Sequence, residues 1–180
     1  MDLLFIVNKK LAIETVLAQL FIVWALVYLF FLRNKHRTIT DFLGKYGIAF
    51  AFLISFTATA GSLFYSNVAG YAPCYLCWWQ RIFMYPLVII TGLALLKRDR
   101  RAVDYILSLA VIGFGISLWH NFIYYYNGGL SVFCDLGAGQ VSCVKRYVFE
   151  LGYVTIPMMA LTAFALIITL TIFVKLKDKS

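Results

Sequence analysis

Charge is what this sequence has least of. Between Tyr46 and Leu96 a single residue, Arg81, carries a formal charge at neutral pH. Over the whole chain only 13% of residues are charged while 63% are hydrophobic, which excludes an ordinary soluble globular domain. A small-residue cleavage site is also lacking after the first apolar run, so that run reads as an uncleaved anchor and not as a signal peptide. No inverted repeat is visible, which weighs against a transporter of small thiols or reducing equivalents.

In place of charge there are five apolar runs, about 11–32, 46–66, 77–96, 105–126 and 154–174. Each approaches the ~20 residues that a helix needs to cross a bilayer. The expected fold is an all-α integral membrane protein, a four-helix transmembrane bundle with an additional N-terminal hydrophobic helix. Residues 1–45 would form the anchor and a basic loop, 46–174 the four-helix domain, and 175–180 a basic tail. Glu14, near the start of the first run, is expected to snorkel from a helix end.

The net charge of +8 does not point to nucleic acid, because the basic residues fall in short clusters at the ends of the runs. Eleven Lys and Arg lie in 33–45, 97–101 and the tail, and only Lys9, Lys10, Lys145 and Arg146 lie in the opposite segments. By the positive-inside rule the eleven face the cytoplasm, which puts the protein in the cell (inner) membrane as a multi-pass chain.

That topology places all four cysteines on the extracytoplasmic side, where disulfides persist. They fall as a close pair, Cys74 and Cys77, and a loop pair, Cys134 and Cys143, and the grouping favours bonds within each pair over the two crossed connectivities. Pro73 suits a helix start, so Cys74 and Cys77 are expected in a first turn, where the helix dipole favours thiolate. Arg81 follows Cys77 by four residues on the same face, about 6 Å deeper. It either favours a Cys77 thiolate and faces a partner or wet cavity, or it snorkels to the interface. Trp78, Trp79 and Tyr85 fit either a flat ligand pocket or an interfacial belt, and Pro86 should bend its helix.

The loop pair reads equally as an exchangeable disulfide or a structural staple. Two dithiol pairs on one side make a relay, and a lipid-soluble quinone beside Arg81 is a natural two-electron sink. His120 could hydrogen-bond that quinone or handle its protons, or be an interfacial histidine. The rival is a non-enzymatic membrane protein with structural disulfides or a four-cysteine zinc site; no metal is expected in the relay.

At this point "PCYLCWWQR" resembles the P-C-x-L-C-x-x-x-R signature of the DsbB family of membrane disulfide oxidoreductases, most like its BdbC-type members, over roughly residues 46–174. In the vitamin K epoxide reductase group the loop pair precedes the C-x-x-C, the reverse of the order here. The resemblance implies that a thioredoxin-fold dithiol oxidase of the DsbA or BdbD type is reoxidised and that electrons pass to ubiquinone or menaquinone. By motif, Cys77 is similar to the cysteine that engages the quinone, Cys74 to its partner, and Arg81 to the arginine beside the ring. Cys134 resembles the cysteine that forms the mixed disulfide and Cys143 its resolving mate; His120 matches a family histidine approximately. The N-terminal run and the short spacing of the loop cysteines depart from the family pattern.

Single-cysteine variants at 74 or 134 are expected to react with a membrane-impermeant thiol reagent added outside intact cells. Labelling from the cytoplasmic side alone would reverse the topology.

Overall fold

A computed structural model describes residues 2–32, 37–126, 143 and 145–178. Cys134 lies outside the described residues. Five helices follow one another: α1 (Asp2–Val27), continued by a π-helical stretch Tyr28–Leu32; α2 (Arg37–Leu63), continued likewise by Phe64–Val68; α3 (Tyr75–Lys97); α4 (Ala102–Tyr126); and α5 (Ile156–Asp178). Each is long and apolar enough to span a membrane. The only β pairing among the described residues is an isolated antiparallel bridge between Glu150 and Val154. The chain is therefore an all-α, multi-pass membrane protein.

The helices begin or end several residues beyond the apolar runs, because their backbone hydrogen bonds continue where the side chains turn polar. The first helix shows this most, starting at Asp2 and carrying Lys9 and Lys10 within it. Glu14 therefore does not sit at a helix end, as expected, but about three turns inside α1. Pro86 lies inside an uninterrupted α3. The start of α5 is set by Thr155, whose Oγ1 accepts from the Met158 N–H at 3.3 Å and so caps the helix.

Contacts of α2 with α3, α3 with α4, α4 with α5, and α5 with α2 close a four-helix ring, and α1 joins it from outside against α5. At the centre, Ala51, Met84, Leu87, Ile106, Ala110, Phe164 and Ile167 form one buried cluster. Hydrophobic driving force between helices is weak in lipid, so close packing at small residues has to hold them. Gly113 is such a point: a Cβ there would come within 2.3 Å of the Phe164 ring. Gly47 is another, where a Cβ would meet Val174 at 2.5 Å.

The basic clusters gather at one end of the ring. Lys175 pairs with Asp104 at 2.6 Å, Arg100 pairs with Asp178, and Lys177 donates to the Asp41 carbonyl at 3.3 Å. The cysteine end is opposite, and three stacked tyrosines organise it. Tyr65, Tyr71 and Tyr147 have ring centroids 5.8 and 4.5 Å apart in succession, tying the end of α2, the approach to α3 and the segment after Cys143 to one another.

Gly113→Val is expected to destabilise the bundle by about 1–3 kcal/mol, the usual cost of overpacking. Thermal unfolding in detergent measures it; a variant as stable as the parent would mean that α4 and α5 do not meet at this glycine.

Candidate redox site

Cys74 is the N-cap of α3, not a first-turn residue as expected. Its backbone is extended, and its sulfur accepts the Cys77 backbone N–H at 3.4 Å. The helix thus begins two residues later than Pro73 suggests, at Tyr75, because a sulfur can take one of the amide protons that a helix start leaves unpaired. Cys77 lies one turn on, and the two sulfurs are 2.8 Å apart. Neither sulfur is bonded in this structure, and their closeness puts them in position for the bond expected between them.

His120, from α4, is 1% exposed, and its Nε2 lies 3.8 Å from the Cys74 sulfur and 3.3 Å from the Cys143 carbonyl. Its Nδ1 is buried with no partner among the described residues. Cys143 is disulfide-bonded and packs directly on Cys74 in a small buried cluster that also takes in Leu76 and Cys77. The structure therefore brings Cys74, Cys77, His120 and Cys143 together, with Cys74 and Cys143 buried in one cluster.

Cys74 is strongly acidified, from the usual 9.0 to about 4. The main cause is the hydrogen bond from the Cys77 thiol; burial opposes it, and His120 adds a further hydrogen bond and charge attraction. The sequence places the favoured thiolate on Cys77 beside Arg81, whereas the structure favours Cys74.

Arg81 is anchored elsewhere. Its Nε donates to Ser62 Oγ at 2.9 Å, its Nη2 to the Ser62 carbonyl at 3.1 Å, and its guanidinium lies 5.2 Å from the Trp78 ring centre. No carboxylate pairs with it among the described residues. Serine supplies acceptors without neutralising the cation, so its positive field remains available at the site.

A cavity of about 810 Å³ opens beside these groups, lined by Cys74, Cys77, Arg81, His120, Gln80 and Tyr85 together with apolar residues of α1, α2 and α5. Tyr85 therefore belongs to the pocket. Trp78 and Trp79 do not line it and are 52% and 39% exposed, in keeping with an interfacial belt. Ser62 and Gln80 carry no motif and escape a reading of the sequence; the Gln80 amide is held by Ser117 Oγ at 3.1 Å.

The chain matches the family described as disulfide bond formation protein DsbB over residues 45–174. It belongs to that family. It is 42% identical over 137 residues to probable disulfide formation protein C 1 of Bacillus cereus, covering 75% of this chain and 95% of the relative. It is 41% identical over 128 residues to the SPbeta prophage-derived disulfide bond formation protein B of Bacillus subtilis, covering 71% and 84%, and 41% identical over 118 residues to disulfide bond formation protein C of the same organism, covering 66% and 84%. No solved structure gives a significant match. The DsbB match begins at residue 45 and so does not take in α1, the helix beside α5.

The ligand atoms of Cys74, Cys77 and His120 lie within 4.8 Å of one another, a geometry that a soft divalent ion could use. A four-cysteine zinc site is not formed in this state, because Cys143 is disulfide-bonded and has no thiolate to give.

Alkylation of the reduced protein is expected to concentrate at Cys74 and to persist as pH falls from 9.0 towards about 4. The sign follows from the lowered value: the thiolate, and the stability it lends the reduced fold, is complete above 9.0 and is lost only as pH falls through about 4. A rate dropping about tenfold per pH unit just below 9.0, read by mass spectrometry of the labelled peptides, would show an ordinary thiol.

Proposed function

We propose that this DsbB-family protein is a membrane thiol:quinone oxidoreductase. It would reoxidise an extracytoplasmic thioredoxin-fold dithiol oxidase of the DsbA or BdbD type and pass the electrons through two cysteine pairs to a quinone. Its relatives are named as disulfide formation proteins. The observation that carries the reading is a single cavity lined at once by two thiols, an unneutralised arginine and a buried histidine, with a disulfide-bonded cysteine packed on one of the thiols.

The cavity suits a quinone. Its volume of about 810 Å³ lies in the range of small-molecule sites, and it is mostly apolar with polar groups converging at the cysteine end. A bound ubiquinone or menaquinone supplies a sink for two electrons and two protons. Arg81 and His120 would hold its ring oxygens, Arg81 by charge and hydrogen bond and His120 through an imidazole able to carry a proton.

The partner's thiolate attacks the loop disulfide at Cys134, which lies outside the described residues. The partner's second thiol then releases its own disulfide and leaves the loop pair reduced. The Cys143 side delivers electrons to Cys74 by thiol–disulfide exchange, for which the packing of Cys143 on Cys74 is apt. Cys77, closer along α3 to Arg81, is the thiol that faces the acceptor. In this reading all four cysteines work on the extracytoplasmic side of the cell membrane.

Purified protein given a reduced partner is expected to reduce quinone. Cys77→Ser abolishes turnover, and Arg81→Met raises KM for quinone by roughly tenfold to a hundredfold, the effect of losing a charged hydrogen bond. Absence of thiol-dependent reduction of either quinone would return the cysteines to a structural role.

A further inference from the structure

The helix α1 contributes one face to the cavity. Val7, Lys10, Leu11, Glu14, Thr15 and Ala18 all line it, at the three- and four-residue spacing of a single helical stripe. The way α1 is attached accounts for the space. Its far half packs tightly: Ala25 and Tyr28 are buried with Leu43, Leu170 and Phe173, and the Tyr28 hydroxyl meets Thr40 Oγ1 at 3.1 Å. Its near half is held by side-chain hydrogen bonds that bracket the cavity face. Tyr65 donates to Asn8 Oδ1 at 2.9 Å; Gln19 donates to Thr162 Oγ1 at 3.1 Å and accepts from the Tyr153 hydroxyl at 2.6 Å.

A helix packed by apolar contact at one end and propped by long polar side chains at the other leaves a gap between itself and the bundle. That gap is part of the cavity. Glu14 is the one carboxylate among its lining residues, and it pairs with Lys10 at 3.8 Å, so this wall presents little net charge to an uncharged occupant.

We propose that α1 is the acceptor-fitting wall of the cavity, with Ala18 and Thr15 setting how much room a quinone has. The inference rests on the reading of the cavity as a quinone site. It gives the N-terminal helix a role in specificity.

Full-length Ala18→Trp and the milder Ala18→Leu place bulk on the cavity face, while Leu17→Trp places it on the neighbouring exposed face, where Leu17 is 60% exposed. Two quantities are read for each: KM and kcat for a short-tailed quinone with the reduced partner, and equilibrium binding of the same quinone without turnover. Ala18→Trp is expected to raise both KM and Kd by about tenfold with kcat retained, Ala18→Leu to raise them less, and Leu17→Trp to leave them unchanged. If Ala18→Trp does not fold, the graded effect of Ala18→Leu carries the test. Unchanged KM and Kd in the Ala18 variants of a protein that does reduce quinone, or equal effects of Leu17→Trp, overturn the α1 wall and leave the quinone reading standing. A parent protein that neither binds nor reduces quinone overturns that reading, and the wall with it.

Discussion

The sulfur of Cys74 stands where three constraints meet, and the geometry of the site depends on that position. It closes the start of α3 by accepting the Cys77 N–H, it lies beside the Cys77 sulfur, and it faces His120 Nε2. Each contact stabilises negative charge on the sulfur, and together they offset the cost of burying it. A cap made by a reactive group ties local helix formation to redox state, because closing a bond to Cys77 would redirect the atom that caps the helix. The tyrosine stack of Tyr65, Tyr71 and Tyr147 then brings the segment carrying Cys143 back over the same sulfur.

Arg81 complements this arrangement. A lone cation in an apolar span is costly unless its N–H groups are satisfied, and Ser62, on the neighbouring helix, satisfies three of the requirements at once: a hydroxyl acceptor, a carbonyl acceptor and no negative charge. An aspartate there would neutralise the guanidinium and leave the cavity without a positive centre. The division of labour proposed for the two cysteines follows, with Cys74 turned to the loop pair and Cys77 towards the cation.

Membrane helices of this kind are readable from the chain because their lengths and boundaries answer to the thickness of the bilayer and to the scarcity of charge. The five spans, the all-α class and the gathering of basic residues at one end needed no tertiary information. The C-x-x-C pair and Arg81 were legible for a similar reason: they lie within eight residues, Cys74 to Arg81, so helical geometry alone relates them. His120 was visible as a candidate but not its direction, and Ser62, Gln80 and the cavity face of α1 were not visible, since each acquires its role only across a helix–helix contact.

The sequence by itself determined that five apolar segments cross a membrane and that two thiols and a cation share one helix, because hydropathy and a 3.6-residue period are local properties. Only the tertiary structure decided which sulfur is acidified, what holds Arg81, and that α1 stands off from the bundle to line a cavity. Those outcomes depend on atoms brought together from residues far apart in the chain, and nothing in the spacing of one helix specifies what its neighbours will present to it.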